Sequence, residues 1–371
     1  MILHLITSIE PAGAQKILSS LISSKDHRND AIIYFFRTPA YLQDLLFRDN
    51  LYYLQYPKTI FSIPFFLFSY FKLLRKIKPL IIHSSLYHAD SLTLFNFIFF
   101  RIPIVWSVHN GDTDSLGFTS NILLRLLAIL SHYVPSVIIY CSHYSRNKHE
   151  SLGYCRDLGL VIHNGYDSSL YSFSLTDRFD IRTSLSLDPH QYVIGFFSRF
   201  SPVKDIPCII NAFNHHLNNY PGSVLLLIGQ DLDIDNQKLM ELLSRYSSII
   251  IDKNVLLLGY KSNIFSYYSV IDTLALTSQA ESFPNVLCEA LLSSCSVVST
   301  NVGDSSYIVN DPDFLVPVGD WRQIASLFDK LAHVYSCKPT RSVSARGHII
   351  KHFSLDSMIS SYDRIYSTLL F

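Results

Sequence analysis

Paired cysteines are missing from this sequence of 371 residues. None of its six cysteines forms a CxxC pair; they are Cys141, Cys155, Cys208, Cys288, Cys295 and Cys337. Residues 1–6 have no basic region and no cleavage site, and they predict a first β-strand rather than a signal peptide. We therefore expect free thiols and a cytoplasmic protein.

An excess of charge and a long hydrophobic run are also absent. The formal net charge is +0 and the pI is about 7.2. Because nucleic-acid-binding proteins usually carry a basic excess, we expect no nucleic-acid partner. The best candidate for a membrane span, residues 92–108, is interrupted by Arg101 and Pro103. It falls short of the roughly 20 residues that a spanning helix needs, so we expect none.

Several motifs of known chemistry do not occur in the sequence. It has no GxGxxG fingerprint, which argues against a nicotinamide or flavin enzyme. It has no Walker loop and no GxSxG nucleophile elbow. The fifteen histidines show no metal-ligand spacing, so no metal site is expected.

What the sequence does contain is an alternation of short apolar runs with longer helical patterns. Hydrophobic residues make up 49% of the chain and charged residues 16%, which is a globular composition. The alternation predicts an α/β fold with parallel sheets and crossover helices. The predicted strands are 2–6, 31–36, 80–83, 104–108, 137–141, 160–163, 192–197, 224–228, 255–258, 273–276, 296–299 and 314–316.

Twelve strands are too many for one ordinary domain. The polar segment 168–190 has no strong strand pattern and is the natural break between two groups of six. We therefore predict two Rossmann-like, doubly wound domains that face each other across a cleft. Ligands of such sheets bind at the carboxyl ends of the strands.

The segment from Glu281 to Glu289 follows one predicted strand and enters a helix. Pro284 suits a first helical turn and Ser282 is a candidate N-cap, so the helix should begin near Pro284 or Asn285. The N-terminus of a helix attracts phosphate, and the two acids can accept hydrogen bonds from sugar hydroxyls. Alternatively, both acids are simply solvated.

A second group, Arg199 and Lys204, follows the first strand of the second half. Two fixed cations there would neutralise a diphosphate and stabilise it as it departs, although solvated surface cations are the other interpretation. In the first half, Gly13 follows a strand and would allow close backbone approach to a phosphate. His109 ends another strand, where it would enter the cleft or serve structurally; His83 is similar.

Together these motifs resemble those of the retaining glycosyltransferases with the GT-B fold, glycosyltransferase family 4, over nearly the whole chain. Arg199 and Lys204 match the R-x4-K element, and Glu281 and Glu289 match the E-x7-E element. The stretches 161–167, 283–290 and 299–304 also fit the family pattern.

The resemblance implies a role for each charged residue. Arg199 and Lys204 would hold the donor diphosphate. Glu281 would contact the transferred sugar, and Glu289 would bind the nucleotide ribose. The reaction would retain the anomeric configuration by front-side attack, and the donor would be a UDP- or GDP-linked sugar with no metal required.

The resemblance also assigns uncharged groups and domain limits. Backbone N–H groups of Asn285, Val286 and Leu287 would cradle phosphate and sugar. Gly13 would approach the diphosphate, and His109 would contact the sugar near the reacting carbon. Residues 1–170 would form the acceptor-side domain, residues 190–352 the donor-binding domain, and a final helix within 354–371 would pack back on the first domain.

Several positions depart from the family pattern. Ala12 replaces the first of two glycines before the first helix, and Ser198 and Asp205 replace glycines beside Arg199 and Lys204. Ser294 and Ser296 stand where the family usually has glycine and proline after the E-x7-E helix. None of these changes removes a charged group of the site.

The leading hypothesis is a hexosyltransferase for bacterial surface polysaccharide, such as the O-antigen of lipopolysaccharide or a capsule, with a lipid-linked or glycan acceptor. Residues 61–78 are aromatic and end in Lys72, Arg75, Lys76 and Lys78, so they either rest on an anionic membrane surface or form a buried helix with a solvated basic end. The alternatives to a transferase are a catalytically silent nucleotide-sugar-binding subunit and another GT-B enzyme, such as an epimerase or a phosphorylase.

Overall fold

The first and longer sheet of the protein has seven parallel strands in the order β3-β2-β1-β4-β5-β6-β7, and a second sheet has six in the order β10-β9-β8-β11-β12-β13. These come from a computed structural model, which describes residues 1–9, 13–24, 27–36, 48–57, 59–111, 117–337 and 343–370. The chain divides into two units, Met1–Gly165 with Leu355–Phe371, and Tyr166–Ser354. The predicted fold of two doubly wound α/β domains is confirmed.

The strands are short, and most are buried on both faces. They are β1 Ile2–Ile6, β2 Ala31–Tyr34, β3 Leu51–Tyr53, β4 Ile81–Ser85, β5 Ile104–Val108, β6 Val137–Tyr140, β7 Gly159–Val161, β8 Val193–Phe197, β9 Val224–Ile228, β10 Val255–Leu257, β11 Thr273–Leu276, β12 Ser296–Thr300 and β13 Leu315–Val316. Burial on both faces explains why they read as continuous apolar runs rather than as alternating ones.

The helices of the described residues connect these strands. They are α1 Gly13–Ser23, α2 Ile63–Ile77, α3 Tyr87–Phe99, α4 Phe118–Leu130, α5 His143–Ser151, α6 Leu175–Ser184, α7 Ile206–His216, α8 Gln237–Leu243, α9 Ile264–Val270, α10 Asn285–Leu292, α11 Ser305–Val309, α12 Trp321–Cys337, α13 Val343–His352 and α14 Leu355–Leu370. No helix in this part of the chain is long and apolar enough to cross a bilayer. Residues 92–108 hold the end of α3 and strand β5.

In the first unit, helices cover both faces of the sheet. Helices α1 and α14 pack on one face, where Leu21 and Tyr362 meet Val105. Helices α2, α3 and α4 pack on the other, where Tyr70 and Leu127 belong to the cluster around Trp106. Successive residues of a strand point to opposite faces, which is why neighbouring Val105 and Trp106 serve different layers.

Segment 168–190 contributes helix α6 to the second unit. Arg178 and Arg182 on this helix donate to the two oxygens of Asp272, at 2.7 and 2.9 Å, just before β11. Two of the polar residues in this segment therefore attach α6 to the sheet through ion pairs. Strand β3 was missed by the sequence analysis because it has only three half-buried residues, at the edge of the sheet.

Candidate functional site

In the second unit, β11 lies between β8 and β12, so the loops that follow these parallel strands share one edge of the sheet. Several hydrogen bonds join the loop after β8 to the loop after β11. The Thr277 hydroxyl donates to the Lys204 carbonyl at 2.8 Å, and the Gln279 amide donates to the Val203 carbonyl at 2.7 Å. The two charged motifs of the sequence therefore lie side by side.

The side chains of Lys204 and Glu281 meet at this junction. The Lys204 ammonium donates to Glu281 Oε1, and the Ser278 hydroxyl donates to the same oxygen at 2.7 Å. Both charged side chains are partly buried, with 21% and 15% exposed. Arg199 is exposed, and within the described residues its side chain makes no hydrogen bond. The structure thus pairs one predicted cation with one predicted acid and leaves the second cation toward solvent.

Two glycines hold the loops of this junction in place. Gly229, with φ +148°, lies so close to Ser198 that a Cβ would stand 1.6 Å from its carbonyl oxygen. Gly303, with φ +54°, would bring a Cβ within 2.5 Å of the Ser282 carbonyl oxygen and 2.6 Å of the Glu281 carbonyl oxygen. A side chain at either position would displace a loop that carries a candidate site residue.

Two family glycines that are replaced here retain a glycine-like backbone. Asp205 has φ +47° and caps α7, where its side chain accepts a hydrogen bond from the Cys208 amide. Ser294, just after α10, has φ +60° and is buried. An L-residue in this left-handed region costs about 1–2 kcal/mol, although aspartate tolerates it better than most. Both substituted positions therefore have a conformation that glycine adopts more readily, and the strain is greater at Ser294 than at Asp205.

Helix α10 begins at Asn285, as predicted, but Ser282 does not cap it. The N-cap is Pro284, whose side chain makes no capping hydrogen bond. Ser282 lies two residues too early, and its carbonyl accepts instead from the Asp304 amide at 3.1 Å. Of the three backbone amides assigned to phosphate, that of Leu287 already donates to the Pro284 carbonyl at 3.1 Å.

Glu289 lies one turn into α10 and is 6% exposed. The Tyr268 hydroxyl donates to its Oε2 at 2.5 Å, and the charge of the carboxylate also acts on Tyr171, whose pKa is raised by burial first and by Glu289 second. Burial, followed by the charge of Glu289, raises the pKa of Tyr268, so the phenol remains a donor. A carboxylate offers about four acceptor sites and Tyr268 occupies one, so others remain for ligand hydroxyls.

The tyrosines around α10 were missed by the sequence analysis as site residues. Tyr171 comes from the polar segment before α6, and Tyr268 comes from α9, so no spacing relates them to Glu289. Tyr268 also packs its ring on Phe197 at 4.9 Å between centroids. Tyr166, within a stretch that fits the family pattern, donates to Asn285 Oδ1.

The remaining predicted residues belong to the first unit. Gly13 is the first residue of α1, after β1, and its neighbours 10–12 lie outside the described residues. His109 follows β5, and burial lowers its pKa to about 4, so the ring is neutral at pH 7. Because the strands are parallel, both residues lie at the carboxyl edge of the sheet. His83 bonds Ser107 at 2.6 Å and Tyr366 at 2.7 Å, which gives it a structural role.

Among the described side chains, no group of three or more His, Cys, Asp or Glu residues is placed to hold a metal ion. The arrangement of the second unit is a lysine–carboxylate pair on the loop that leads into the N-terminus of α10. It offers positive charge to a phosphate and carboxylates to sugar hydroxyls.

Comparison with known proteins relates the chain to two described families. The pattern "Glycosyl transferases group 1" matches residues 177–342, and the pattern "Glycosyltransferase Family 4" matches residues 22–170. The fold of HepE from Anabaena, solved in complex with UDP-glucose, superposes with a TM-score of 0.85 at 22% identity, covering 99% of both chains.

Three curated bacterial enzymes are similar over most of the chain. The N-acetyl-alpha-D-glucosaminyl L-malate synthase of Bacillus anthracis is 26% identical, over 73% of this chain and 69% of its own. The capsular polysaccharide biosynthesis glycosyltransferase CapM of Staphylococcus aureus is 24% identical, over 80% and 79%. The UDP-Gal:alpha-D-GlcNAc-diphosphoundecaprenol alpha-1,3-galactosyltransferase of Escherichia coli is 24% identical, over 81% and 78%.

The fold and the two family patterns define a glycosyltransferase of the GT-B class. The two patterns together cover both units, and the chain belongs to the group 1 glycosyltransferases. It is therefore a transferase enzyme, as the sequence motifs predicted.

Proposed function

We propose that this enzyme transfers a hexose from a UDP- or GDP-linked donor to a lipid-linked glycan in the synthesis of a bacterial surface polysaccharide, an O-antigen or a capsule. The proposal rests on the Lys204–Glu281 pair at the start of α10. The functions of CapM and of the E. coli galactosyltransferase support the class of product and the class of acceptor. The UDP-glucose bound to HepE supports the class of donor.

In this proposal Lys204 and Arg199 bind the donor diphosphate. Negative charge grows on the departing phosphate oxygen as the bond to the sugar breaks, and fixed cations stabilise that charge in the transition state. The ammonium of Lys204 has three N–H donors, of which Glu281 uses one. The remaining two can reach phosphate while Glu281 keeps the side chain in place. The cations and the α10 N-terminus then supply the charge for which other transferases use a metal ion.

Glu281 and Glu289 are proposed to bind the two sugars of the donor. Lys204 and Ser278 both donate to Oε1 of Glu281, so Oε2 is left for a hydroxyl of the transferred sugar. Glu289 is held by its tyrosines and would accept from the ribose. His109, neutral at pH 7, would contact the transferred sugar without adding charge. We expect retention of configuration, with the acceptor hydroxyl attacking from the face that the diphosphate leaves.

A thermal-shift series with UDP-, GDP-, dTDP- and CMP-sugars tests the donor. A ligand at about 100 times its dissociation constant stabilises the folded state by roughly 2.7 kcal/mol, which is easily measured. We expect one nucleotide to stabilise the wild type and to stabilise Lys204→Ala much less. The matched control is Lys253→Ala. Lys253 is an exposed lysine that precedes β10, the strand at one edge of the sheet.

Transfer itself is tested with the donor that binds and a lipid-linked acceptor, with the anomeric configuration of the product read by NMR. Stabilisation by no nucleotide, or transfer by Lys204→Ala at the wild-type rate, would contradict the assignment. Binding without transfer would favour a silent binding subunit, and a donor epimerised in the absence of acceptor would favour an epimerase.

The acceptor proposal also implies a place in the cell. A lipid-linked glycan is held in a membrane, so we propose that the enzyme works at the inner face of the cytoplasmic membrane. Segment 61–78 supports this, because it forms α2, which carries Arg75 and Lys76 in its last turn. Flotation with liposomes, compared with a Lys72/Arg75/Lys76/Lys78→Ser variant, is the test; failure of the wild type to float would overturn it.

A further inference from the structure

Helix α4 is apolar on two opposite sides. Its inner side packs Leu124 and Leu127 on the sheet. Its outer side exposes Phe118 by 81%, Ile122 by 53% and Ile129 by 64%. These residues recur at helical spacing and form one stripe. A surface helix normally turns polar side chains to water, so this second stripe is not explained by the core.

Helix α2 and the turn before it repeat the pattern. Phe66 and Tyr70 are buried on the sheet, whereas Phe61, Phe65 and Phe68 are 88%, 76% and 71% exposed. Exposed phenylalanines at this density are uncommon, because each leaves a large apolar area in water.

The two stripes belong to one layer. Helices α2, α3 and α4 cover the same face of the first sheet, and α3 lies beside both of the others. The Phe71 ring on α2 contacts the Phe99 ring at the end of α3, with centroids 5.4 Å apart. Ile98 and Phe99 add exposed apolar surface between the stripes. We call the outer surface of α2, α3 and α4 the apolar face.

The charges on this face have one sign. Six exposed cations lie in the described residues 59–101 and 117–136, namely Lys72, Arg75, Lys76, Lys78, Arg101 and Arg125. The only acid in these ranges is Asp90, which is buried, and burial raises its pKa to about 8. The whole chain has a formal net charge of +0, so the positive charge of this face is a local excess.

We propose that the apolar face docks on an anionic phospholipid surface through α4 and α3 as well as α2, with Phe118, Phe65 and Phe68 inserted among the headgroups. Aromatic residues flanked by lysine and arginine suit this interface, since the rings enter the acyl boundary while the cations meet lipid phosphates. This docking surface extends the membrane contact proposed for residues 61–78. It rests on the proposed function in one respect, because a lipid-linked acceptor is the reason for the enzyme to be at a membrane.

A lipid surface fits this face better than a second copy of the chain does. Two copies joined through it would bring the four cations of α2 and α4 against the same four, with no exposed acid in the described ranges of the face to compensate. Stable protein interfaces are also depleted in lysine. An anionic monolayer supplies the opposite charge and an apolar interior at once.

Sedimentation with vesicles tests the face. The wild type should bind vesicles that contain phosphatidylglycerol, bind phosphatidylcholine vesicles much more weakly, and dissociate as salt is raised. The triple variant Phe118→Ser/Ile122→Ser/Ile129→Ser should lose at least about ten-fold in binding, because apolar insertion contributes with buried area. Lys72→Gln/Lys76→Gln should lose about 25-fold, at roughly five-fold for each cation.

The matched control is Leu175→Ser/Phe179→Ser on α6 of the second unit, which removes two exposed apolar side chains, 73% and 66% exposed, from a different surface. It should bind vesicles as the wild type does. Circular dichroism and the nucleotide-induced thermal shift confirm that each variant is folded. Wild type that does not bind anionic vesicles, or an α4 variant that binds as well as the control, would overturn the proposal.

Two further measurements separate the outcomes. A dimer that dissociates in the α4 variant, seen by light scattering, would show that a second copy covers the face and would overturn lipid docking. Transfer to a water-soluble acceptor analogue reports the proposed function without a membrane. If the α4 variant loses vesicle binding but still transfers sugar to the soluble analogue, the docking face is separate from the proposed donor site. That result contradicts neither the proposed function nor the donor site.

Discussion

His27 Nε2 lies 2.7 Å from Asp363 Oδ1, a contact between residues 336 positions apart that ties α14 to the first unit. The other ring nitrogen, Nδ1, lies 2.7 Å from Asp30 Oδ2. With a carboxylate at each nitrogen, both nitrogens donate and the ring is an imidazolium. Burial alone would lower the pKa of His27, but the hydrogen bonds to Asp30 and Asp363 outweigh it and the pKa is raised.

The substitution Asp363→Asn should weaken the attachment of α14. A group whose pKa is raised on folding stabilises the fold below its unfolded pKa of about 6.5, and this stabilisation is lost as the pH rises through the folded pKa. Because Asp363 is partly exposed, we expect a loss of only about 1 kcal/mol at pH 6 and a smaller loss at pH 9. Urea unfolding at the two pH values measures it.

Asp356→Asn, on the same helix, is the control for that experiment. Asp356 lies in the first turn of α14 and, within the described residues, forms no ion pair with a histidine, so its effect should be the same at both pH values. A destabilisation by Asp363→Asn that is equal at pH 6 and pH 9 would contradict an ionic contact with His27.

Buried neutral histidines should make the enzyme sensitive to acid. Burial lowers the pKa of His149 to about 4, and its ring bonds the Ser145 carbonyl and the Tyr87 hydroxyl, each at 2.8 Å. A lowered pKa gives stability that is present above the unfolded pKa near 6.5 and is lost as the pH falls toward 4. His149→Gln should reduce the slope of unfolding free energy against pH in this window by up to about 1.4 kcal/mol per unit.

The same titration with the exposed His190→Gln should leave the slope unchanged. His109 has a pKa of about 4 from burial as well and contributes to the wild-type slope. A His149→Gln slope equal to that of the wild type would show that the histidine titrates normally in the folded protein.

Much of the candidate donor site could be predicted from local sequence. The loops of Lys204 and Glu281 each follow a buried strand, and parallel strands put their carboxyl ends on one edge, so proximity could be inferred from order along the chain. The start of α10 could be placed to within a residue, because proline marks a first turn. These inferences depend only on backbone periodicity and on chain direction.

Other contacts of the site could not be inferred in this way. Tyr171 and Tyr268 reach Glu289 from separate segments, and the direction of a side chain depends on tertiary packing. Ser282 has the right chemistry for an N-cap, yet its backbone lies too early. The apolar face could be predicted only in part from the sequence. The exposed stripe of α4 and its buried stripe have the same residue types, so the sequence does not tell which of them faces solvent.

Ser294→Gly should stabilise the protein. Ser294 has φ +60°, a left-handed conformation that costs an L-residue about 1–2 kcal/mol, and glycine adopts it without that cost. After the greater freedom of glycine in the unfolded chain is subtracted, we expect a gain of about 1 kcal/mol and a rise in Tm of a few degrees. Ser293→Gly, at φ −81°, should give no gain. Calorimetry compares the two, and equal effects would refute strain at Ser294.

Gly303→Ala should impair transfer more than it impairs folding. The added Cβ would meet the Glu281 and Ser282 carbonyl oxygens at 2.6 and 2.5 Å, so the loop that carries Glu281 must shift. Gly319→Ala is the control, because Gly319 has a positive φ of +80° but nothing within 4 Å of its Cβ position. Both variants should lose about 1 kcal/mol of stability to backbone strain, and only Gly303→Ala should lose ten-fold or more in kcat/KM, since small misplacements are costly. If Gly303→Ala were as active as Gly319→Ala, the position of Glu281 would not matter for transfer, and its proposed role would be wrong.

Tyr268→Phe should weaken donor binding by releasing Glu289. The substitution removes a hydroxyl that donates to Oε2 at 2.5 Å and leaves the ring packed on Phe197. A hydrogen bond to a charged group contributes about 1.5–3 kcal/mol, so the KM for the donor should rise roughly ten-fold or more while kcat changes little. Tyr192→Phe is matched, because it removes a buried hydroxyl that lies 2.5 Å from Thr273 at the amino end of β11. If both variants lose the same stability but only Tyr268→Phe changes the KM, Tyr268 is a positioning residue for Glu289. If Tyr268→Phe leaves the KM unchanged, Glu289 does not bind the donor.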